Sequence, residues 1–382
     1  MSTRPPDSRP RRASRRLPRR RRSRRRRATP LFWLLGLSAA GAVAVVLAGR
    51  RGGRMGFALG LEVDDEPGGR EGYRPDYGRA FATGKARDES ARAAEAAAEP
   101  EVEQMDGGIP TWIAGPAGNL YVRDTWGGRD GAAGASTRAG AGVWGPRLPV
   151  LFVHSLAGNG GQWALQLDHL RRSRRAVAVD LRGHGDSDPA DDGAYDLPAL
   201  AGDVGAVADQ LSLRRFVLVG HSLGASVAIT YAGLHGERVA GLLLVDPNGD
   251  QTLIPRAEVE PFLGALRGDP LRELESYFRQ LLVGGDRDAA HWVIQDLRLT
   301  HEDAIVNAVE ASILSSPLPA LARYHGPKLS VISDMNRLPF SLHNLVSDLP
   351  VHLMRGTGHW LMLDRPEAFN QILDSFLLRV EG

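Results

Sequence analysis

Residues 216–228 read Phe-Val-Leu-Val-Gly-His-Ser-Leu-Gly-Ala-Ser-Val-Ala, and this stretch decides the fold. Four apolar, β-favouring residues, Phe216 to Val219, come first. A tight turn bracketed by Gly220 and Gly224 follows, and then small and apolar residues that suit a helix. The turn has the form G-x-S-x-G, with Ser222 at its centre. A strand-to-helix turn this sharp pushes the serine backbone into a strained conformation and leaves its hydroxyl exposed. The two glycines leave room where side chains would collide across the turn. The helix that follows aims its free N–H groups at charge developing on a reacting carbonyl oxygen. In a chain with 45 glycines the G-x-S-x-G pattern alone is common, so its strand and helix flanks carry the reading.

Outward from this turn, short apolar runs alternate with helical patterns. Residues 149–153, 176–179, 240–245, 329–332 and 350–354 read as buried strands. Helices are expected up to about Arg171, over 197–211 and over 367–380. The last places Phe369, Ile372, Leu373, Phe376, Leu377 and Val380 on one face, with Pro366 near its first turn. Upstream, residues 111–114 and 119–123 form two strands joined by a Gly-Pro-Ala-Gly turn. This rhythm predicts an α/β fold, a doubly wound and mostly parallel sheet with helices on both faces. Between residues 249 and 321 the strand rhythm stops. That segment is helical in pattern, with Phe262, Leu263, Tyr277, Phe278, Leu281, Leu282, Trp292 and Ile294 as its apolar positions. It reads as a helical cap inserted over the strand ends.

The domain at 107–382 is preceded by three unlike segments. Residues 1–29 hold 14 Arg and one acid, a net of +13; the whole chain is +2, which leaves 2 − 13 = −11 for the remainder. The globular part is therefore acidic, and no basic patch there argues for nucleic acid. The Arg tract cannot fold alone and reads as a polybasic arm against acidic lipid. The n-region of an export signal and an upstream extension ahead of a start at Met55 are the alternatives. Residues 31–49 carry no charge. As a helix they span roughly 28 Å, close to the ~30 Å hydrocarbon core of a bilayer. The Arg excess upstream of this span places the N-terminus inside and the large domain outside, a single-pass membrane anchor. Val46-Leu47-Ala48 also suits a cleavage site, which makes secretion the alternative, and a start at Met55 would give a cytoplasmic protein. Residues 50–106 read as a disordered linker. Gly140-x-Gly142-x-x-Gly145 precedes a strand instead of following one, so it does not read as a dinucleotide site. The chain has no cysteine, which excludes disulfides, a thiol nucleophile and Cys-based zinc sites.

Acyl transfer by serine needs a nucleophile, a base, an acid that orients the base, and oxyanion donors. The chain order Ser, Asp, His suits a turn of this kind. The candidate base is His359, in Arg-Gly-Thr-Gly-His-Trp after the last strand, at the sheet's carboxyl edge where ligands bind in open α/β sheets. His221 and His184 lie inside turn motifs and are expected to make structural hydrogen bonds.

With these residues in place, the chain over about 108–380 resembles the α/β-hydrolase family. Four motifs carry the resemblance: Phe152-Val153-His154-Ser155-Leu156-Ala157-Gly158; Asp180-Leu181-Arg182-Gly183-His184-Gly185-Asp186-Ser187; Gly220-His221-Ser222-Leu223-Gly224; and Gly356-Thr357-Gly358-His359-Trp360. The resemblance implies Ser222 as nucleophile and His359 as general base. It implies the backbone N–H groups of Leu223 and Leu156 as oxyanion donors. Ser155 stands where the family usually has glycine. The family's acid usually follows the strand before the last, but Asn336 and Arg337 fill that place here. Asp246, after the strand that follows the elbow helix, therefore ranks ahead of Asp334 as the acid. The implied function is a serine hydrolase cleaving a small-molecule ester with an apolar part. An inactive binding protein of the same fold is an alternative. A cofactor-free haloperoxidase or carbon–carbon hydrolase using the same triad is another. No metal, nucleotide or flavin is implied.

Overall fold

The computed structural model describes residues 108–126 and 147–382. The Arg-rich arm, the uncharged span at 31–49, the linker and the glycine motif at 140–145 lie outside the described residues. Among the described residues no helix is long and apolar enough to cross a membrane.

The described residues open with an antiparallel hairpin, β1 (Ile109–Gly115) and β2 (Gly118–Asp124). Strand β3 (Val150–Val153) leads through the 3₁₀ turn Gly160–Trp163 into α1 (Ala164–Leu170). Strand β4 (Ala176–Val179) is followed by α2 (Leu197–Gln210), which starts at the Asp196 cap. Strand β5 (Phe216–His221) turns at once into α3 (Leu223–Leu234). Strand β6 (Val239–Val245) ends at Asp246. Five helices come next: α4 (Arg256–Gly268), α5 (Pro270–Leu281), α6 (Arg287–Leu299), α7 (Glu302–Leu314) and α8 (Leu318–Arg323). The sheet resumes with β7 (Lys328–Ser333), a short α9 (Leu342–Leu345) and β8 (Val351–Met354). Helices α10 (Leu361–Asp364) and α11 (Pro366–Glu381) close the chain.

Among the described residues eight strands form one sheet in the order β1-β2-β4-β3-β5-β6-β7-β8. Pairing is parallel from β4 through β8 and antiparallel only at the β1/β2 and β2/β4 contacts. The expected doubly wound α/β sheet with an inserted helical segment is thus the observed architecture. The central strands are continuous apolar runs because helices cover both faces. Phe152, Val217, Val219 and Leu243 point to the face holding Trp163, Phe369 and Phe376. Leu151, Phe216, Leu218 and Leu242 point to the other, with α2 and α3. The alternation follows from the two-residue period of a strand.

The elbow shows why its glycines are required. Ser222 has φ 53 and ψ −114, outside the regions that L-residues favour. A Cβ on Gly220 would lie 2.2 Å from the Gly224 carbonyl oxygen, and one on Gly224 would lie 2.3 Å from that of His154. Both neighbours are backbone and have nowhere to go. Replacing Gly224 by Ala should therefore destabilise the protein by more than about 2 kcal/mol. Gly264 is an internal control, being exposed on α4 with nothing within 4 Å of its added Cβ. Gly264→Ala should raise stability by roughly 0.5–1 kcal/mol through helix propensity and a less flexible unfolded chain. Thermal melts of the two variants against the native protein check the pair.

Candidate active site

Three chain segments meet at the carboxyl edge of the central strands. The elbow after β5 presents Ser222, the turn after β6 presents Asp246, and the loop after β8 presents His359. Parallel neighbours end at the same edge, so residues 24 and 113 positions apart in sequence, counted from Ser222 and His359 to Asp246, become spatial neighbours. All three side chains are buried. Ser222 and Asp246 both have positive φ, 53 and 40 respectively, as does Ala157 in the loop after β3. Strain of this kind collects at functional sites, where the surrounding fold over-determines it.

His359 Nδ1 donates to Asp246 Oδ2 at 2.6 Å. The same carboxylate accepts the Ser333 backbone N–H at 2.8 Å on Oδ1 and the Ser333 hydroxyl at 2.9 Å on Oδ2. Asp246 therefore orders the imidazole, and Ser333 at the end of β7 orders Asp246. With its proton on Nδ1, His359 keeps Nε2 as an acceptor. The His221 ring lies 4.7 Å from the His359 ring, centroid to centroid, and its Nε2 donates to the His359 carbonyl at 2.9 Å. Burial holds the His221 pKa well below the usual histidine range, so it acts as a neutral clamp. His154 and His184 are likewise buried, neutral hydrogen-bonding groups. Burial lowers their pKa values to about 4 and about 3.

The structure does not bring Asp334 to this site. It is part-exposed, bonded to Arg337 at 2.8 Å and accepting the Gly356 N–H at 3.1 Å. Its place one residue beyond β7 turns it toward the surface, so it serves the loop before His359 and not the imidazole.

The Ser222 hydroxyl donates to Asn248 Oδ1 at 3.4 Å, and Asn248 Nδ2 donates to Ser312 of α7 at 3.0 Å. Leu156 and Leu223 line the same pocket as Ser222 and His359. The Leu223 N–H is in the first turn of α3, where no intrahelical partner exists. The pocket measures about 540 Å³ out to its mouth, and the cap supplies Phe262, Leu274, Phe278, Val309 and Ile313 as its apolar walls.

Sequence reasoning did not single out Ser333, Asn248 or Gln251. The last two closely follow Asp246, and that proximity was the available signal. It also missed a buried link from the cap to the loop after β3. Asp296 of α6 accepts Asn159 Nδ2 at 2.8 Å and Gln162 Nε2 at 3.0 Å, and Gln162 Oε1 accepts the Ser155 hydroxyl at 3.3 Å. Ser155, the residue in the usual glycine place, thereby tethers the Leu156 loop to the cap. Burial pushes the Asp296 carboxyl up to about 7, against the Gln162 and Asn159 donors that hold it down. In the unfolded chain an aspartate titrates near 3.9. Between these values the folded state binds the extra proton, so this group's contribution is full at low pH and is lost as pH rises toward about 7. Asp296→Asn lacks that loss. The melting temperature of the variant minus that of the native protein should rise from pH 5 to pH 7 and then level off, as thermal scans across that range will show.

The profile of the Alpha/beta hydrolase family matches residues 150–372, more than half of the chain. The chain is 35% identical over 129 residues to a serine hydrolase-like protein of Danio rerio, covering 33% of this chain and 39% of that one. It is 28% identical over 263 residues to a non-heme chloroperoxidase of Streptomyces lividans, covering 61% of this chain and 94% of that one. An esterase from Exiguobacterium antarcticum superposes with a TM-score of 0.58 at 20% identity, covering 70% of this chain and 99% of that one. The match spans 39% to 63% of the length of four curated relatives, that Danio rerio protein and a dihydrolipoyllysine-residue acetyltransferase component of an acetoin-cleaving system in Pseudomonas putida among them.

Proposed function

Because this chain belongs to the alpha/beta hydrolase family, we propose that it is a serine hydrolase that cleaves a carboxylic ester through an acyl-enzyme. The observation that carries this reading is the 2.6 Å bond between His359 Nδ1 and Asp246, at the strand edge that also holds the strained Ser222. In the first step Ser222 Oγ attacks the ester carbonyl carbon and His359 Nε2 takes its proton. The negative charge on the carbonyl oxygen is met by the Leu156 and Leu223 N–H groups. The carbon–oxygen bond to the alcohol then breaks, and His359 returns the proton to the leaving oxygen. Water repeats the sequence on the acyl-enzyme and releases the acid. Asp246 stays ionised and holds the imidazole in the tautomer and orientation this needs. The apolar walls of the pocket support a substrate whose acyl part is apolar.

A fluorophosphonate probe should label the full chain at Ser222 alone, read by mass spectrometry of the modified peptide. Ser222→Ala should lose labelling and at least about 10³-fold in kcat. Asp246→Asn should lower kcat by roughly 10²- to 10⁴-fold, while Asp334→Ala leaves it unchanged. A folded native protein that takes no label would overturn the reading in favour of a binding role for the pocket.

We also propose that residues 31–49 anchor the chain in a membrane, because they carry no charge and follow a strong Arg excess. The full chain should stay with membranes through an alkaline wash, and a chain begun at Met55 should not.

A further inference from the structure

A second chamber of about 420 Å³ adjoins the first at His359. It is lined by Pro247, Met335, Asn336, Phe340 and Ser341, residues of the turns after β6 and β7. Ser222, Leu156 and Leu223 line only the apolar chamber, whereas His359, Asn248, Gln251, Tyr277 and Leu281 line both. That division has a chemical meaning if the chain is the serine hydrolase proposed above. The carbonyl carbon must sit at Ser222 and its oxygen at the Leu156 and Leu223 N–H groups. The acyl chain then occupies the apolar chamber. When the carbon–oxygen bond breaks, the leaving oxygen takes the proton from His359 Nε2, so the alcohol lies on the His359 side.

Most polar groups around the second chamber are already satisfied. Asn336 Nδ2 donates to the Pro247 carbonyl at 2.9 Å and its Oδ1 accepts the Ser341 hydroxyl at 2.8 Å. Asn248 is bonded to Ser222 and Ser312. Gln251 differs: the residue is only 8% exposed, and its buried Oε1 has no hydrogen-bond partner. It is held in place by its neighbour: Asp250 accepts the Thr252 N–H at 3.1 Å and the Ser316 hydroxyl at 2.6 Å, and donates its own N–H to the Phe340 carbonyl at 2.8 Å. The Gln251 Oε1 is a buried, unpaired acceptor on a pinned 3₁₀ turn, a group waiting for a donor, since leaving it unmet is unfavourable. A primary amide carries a donor and an acceptor side by side, and a hydroxyl matches both. No Arg or Lys lines either chamber, so neither is built for an anion.

We propose that the second chamber is a leaving-group site in which Gln251 recognises a free hydroxyl, making the substrate an apolar acyl ester of a neutral, hydroxylated alcohol. The test uses the full chain and two octanoates, the 2,3-dihydroxypropyl ester and the propyl ester, which differ only in the two hydroxyls. The native protein should favour the dihydroxypropyl ester in kcat/KM by about tenfold or more. Gln251→Leu should bring the ratio close to one, chiefly by lowering kcat/KM for the dihydroxypropyl ester. Because both esters are measured on one preparation, with fluorophosphonate labelling of Ser222 counting the folded sites, the ratio is insensitive to lost protein. Equal cleavage of the two esters by the native protein overturns the proposal and leaves the hydrolase reading standing. So does labelling at Ser222 with cleavage of neither ester. A preference that survives Gln251→Leu overturns the role of Gln251. No labelling and no cleavage overturns both readings together.

Discussion

The carboxylate of Asp246 is the constraint on which the site depends. It accepts one bond from His359 and two from Ser333, so it joins the ends of β6, β7 and β8 into one unit. A buried carboxylate is unfavourable unless it is hydrogen-bonded, and here the bonds come from groups that the sheet itself brings together. The same bonds that satisfy the charge also aim the imidazole. Positive φ at Asp246 lets the chain turn sharply enough for its side chain to reach back across β7. The ordering depends on parallel pairing, because parallel strands deliver their carboxyl ends to one edge.

A second set of buried groups stiffens the frame around that edge. His221 sits beneath His359 and binds its carbonyl, which fixes the loop after β8 from the elbow side. His154 donates to the Ser155 carbonyl at 2.6 Å and accepts the Leu181 N–H at 2.9 Å, tying the loops after β3 and β4. Asp180 accepts from Arg123 and from the Gly160 N–H, fastening β2 to the 3₁₀ turn before α1. These histidines have functional residue types in motif positions, yet their buried surroundings keep them neutral and committed to backbone partners. What distinguishes His359 is a carboxylate on one nitrogen and a pocket on the other side.

The cap closes the site and divides it. Helices α4, α5 and α7 bring aromatic and branched side chains over Ser222, while the turn carrying Asn248 and Gln251 lies between this apolar space and the more polar chamber that adjoins it at His359. Asp296 links α6 of the cap to the loop that bears Leu156, so the positions of the cap and of that loop are mechanically coupled. The departure from glycine at Ser155 gains its sense here, as its hydroxyl supplies one bond of that link.

Local patterns were enough to read the strands, the elbow and the helical insertion. Apolar runs of four to six residues, two-residue alternation and the glycine bracket each act over a few positions, and the structure shows them at nearly the expected boundaries. Ser222 and His359 were legible because each sits in a motif whose backbone geometry is encoded next to it. The partner of His359 was legible only as a ranking, Asp246 ahead of Asp334. Asp246 and Asp334 both follow strands at the same sheet edge, and nothing within a few residues of either says which way its side chain points. Register and strand order decided it, setting Ser333 and His359 beside Asp246 and leaving Asp334 to Arg337. Gln251 and Asp296 were silent in sequence for the same reason, since the burial of a polar side chain depends on segments that fold over it from far along the chain.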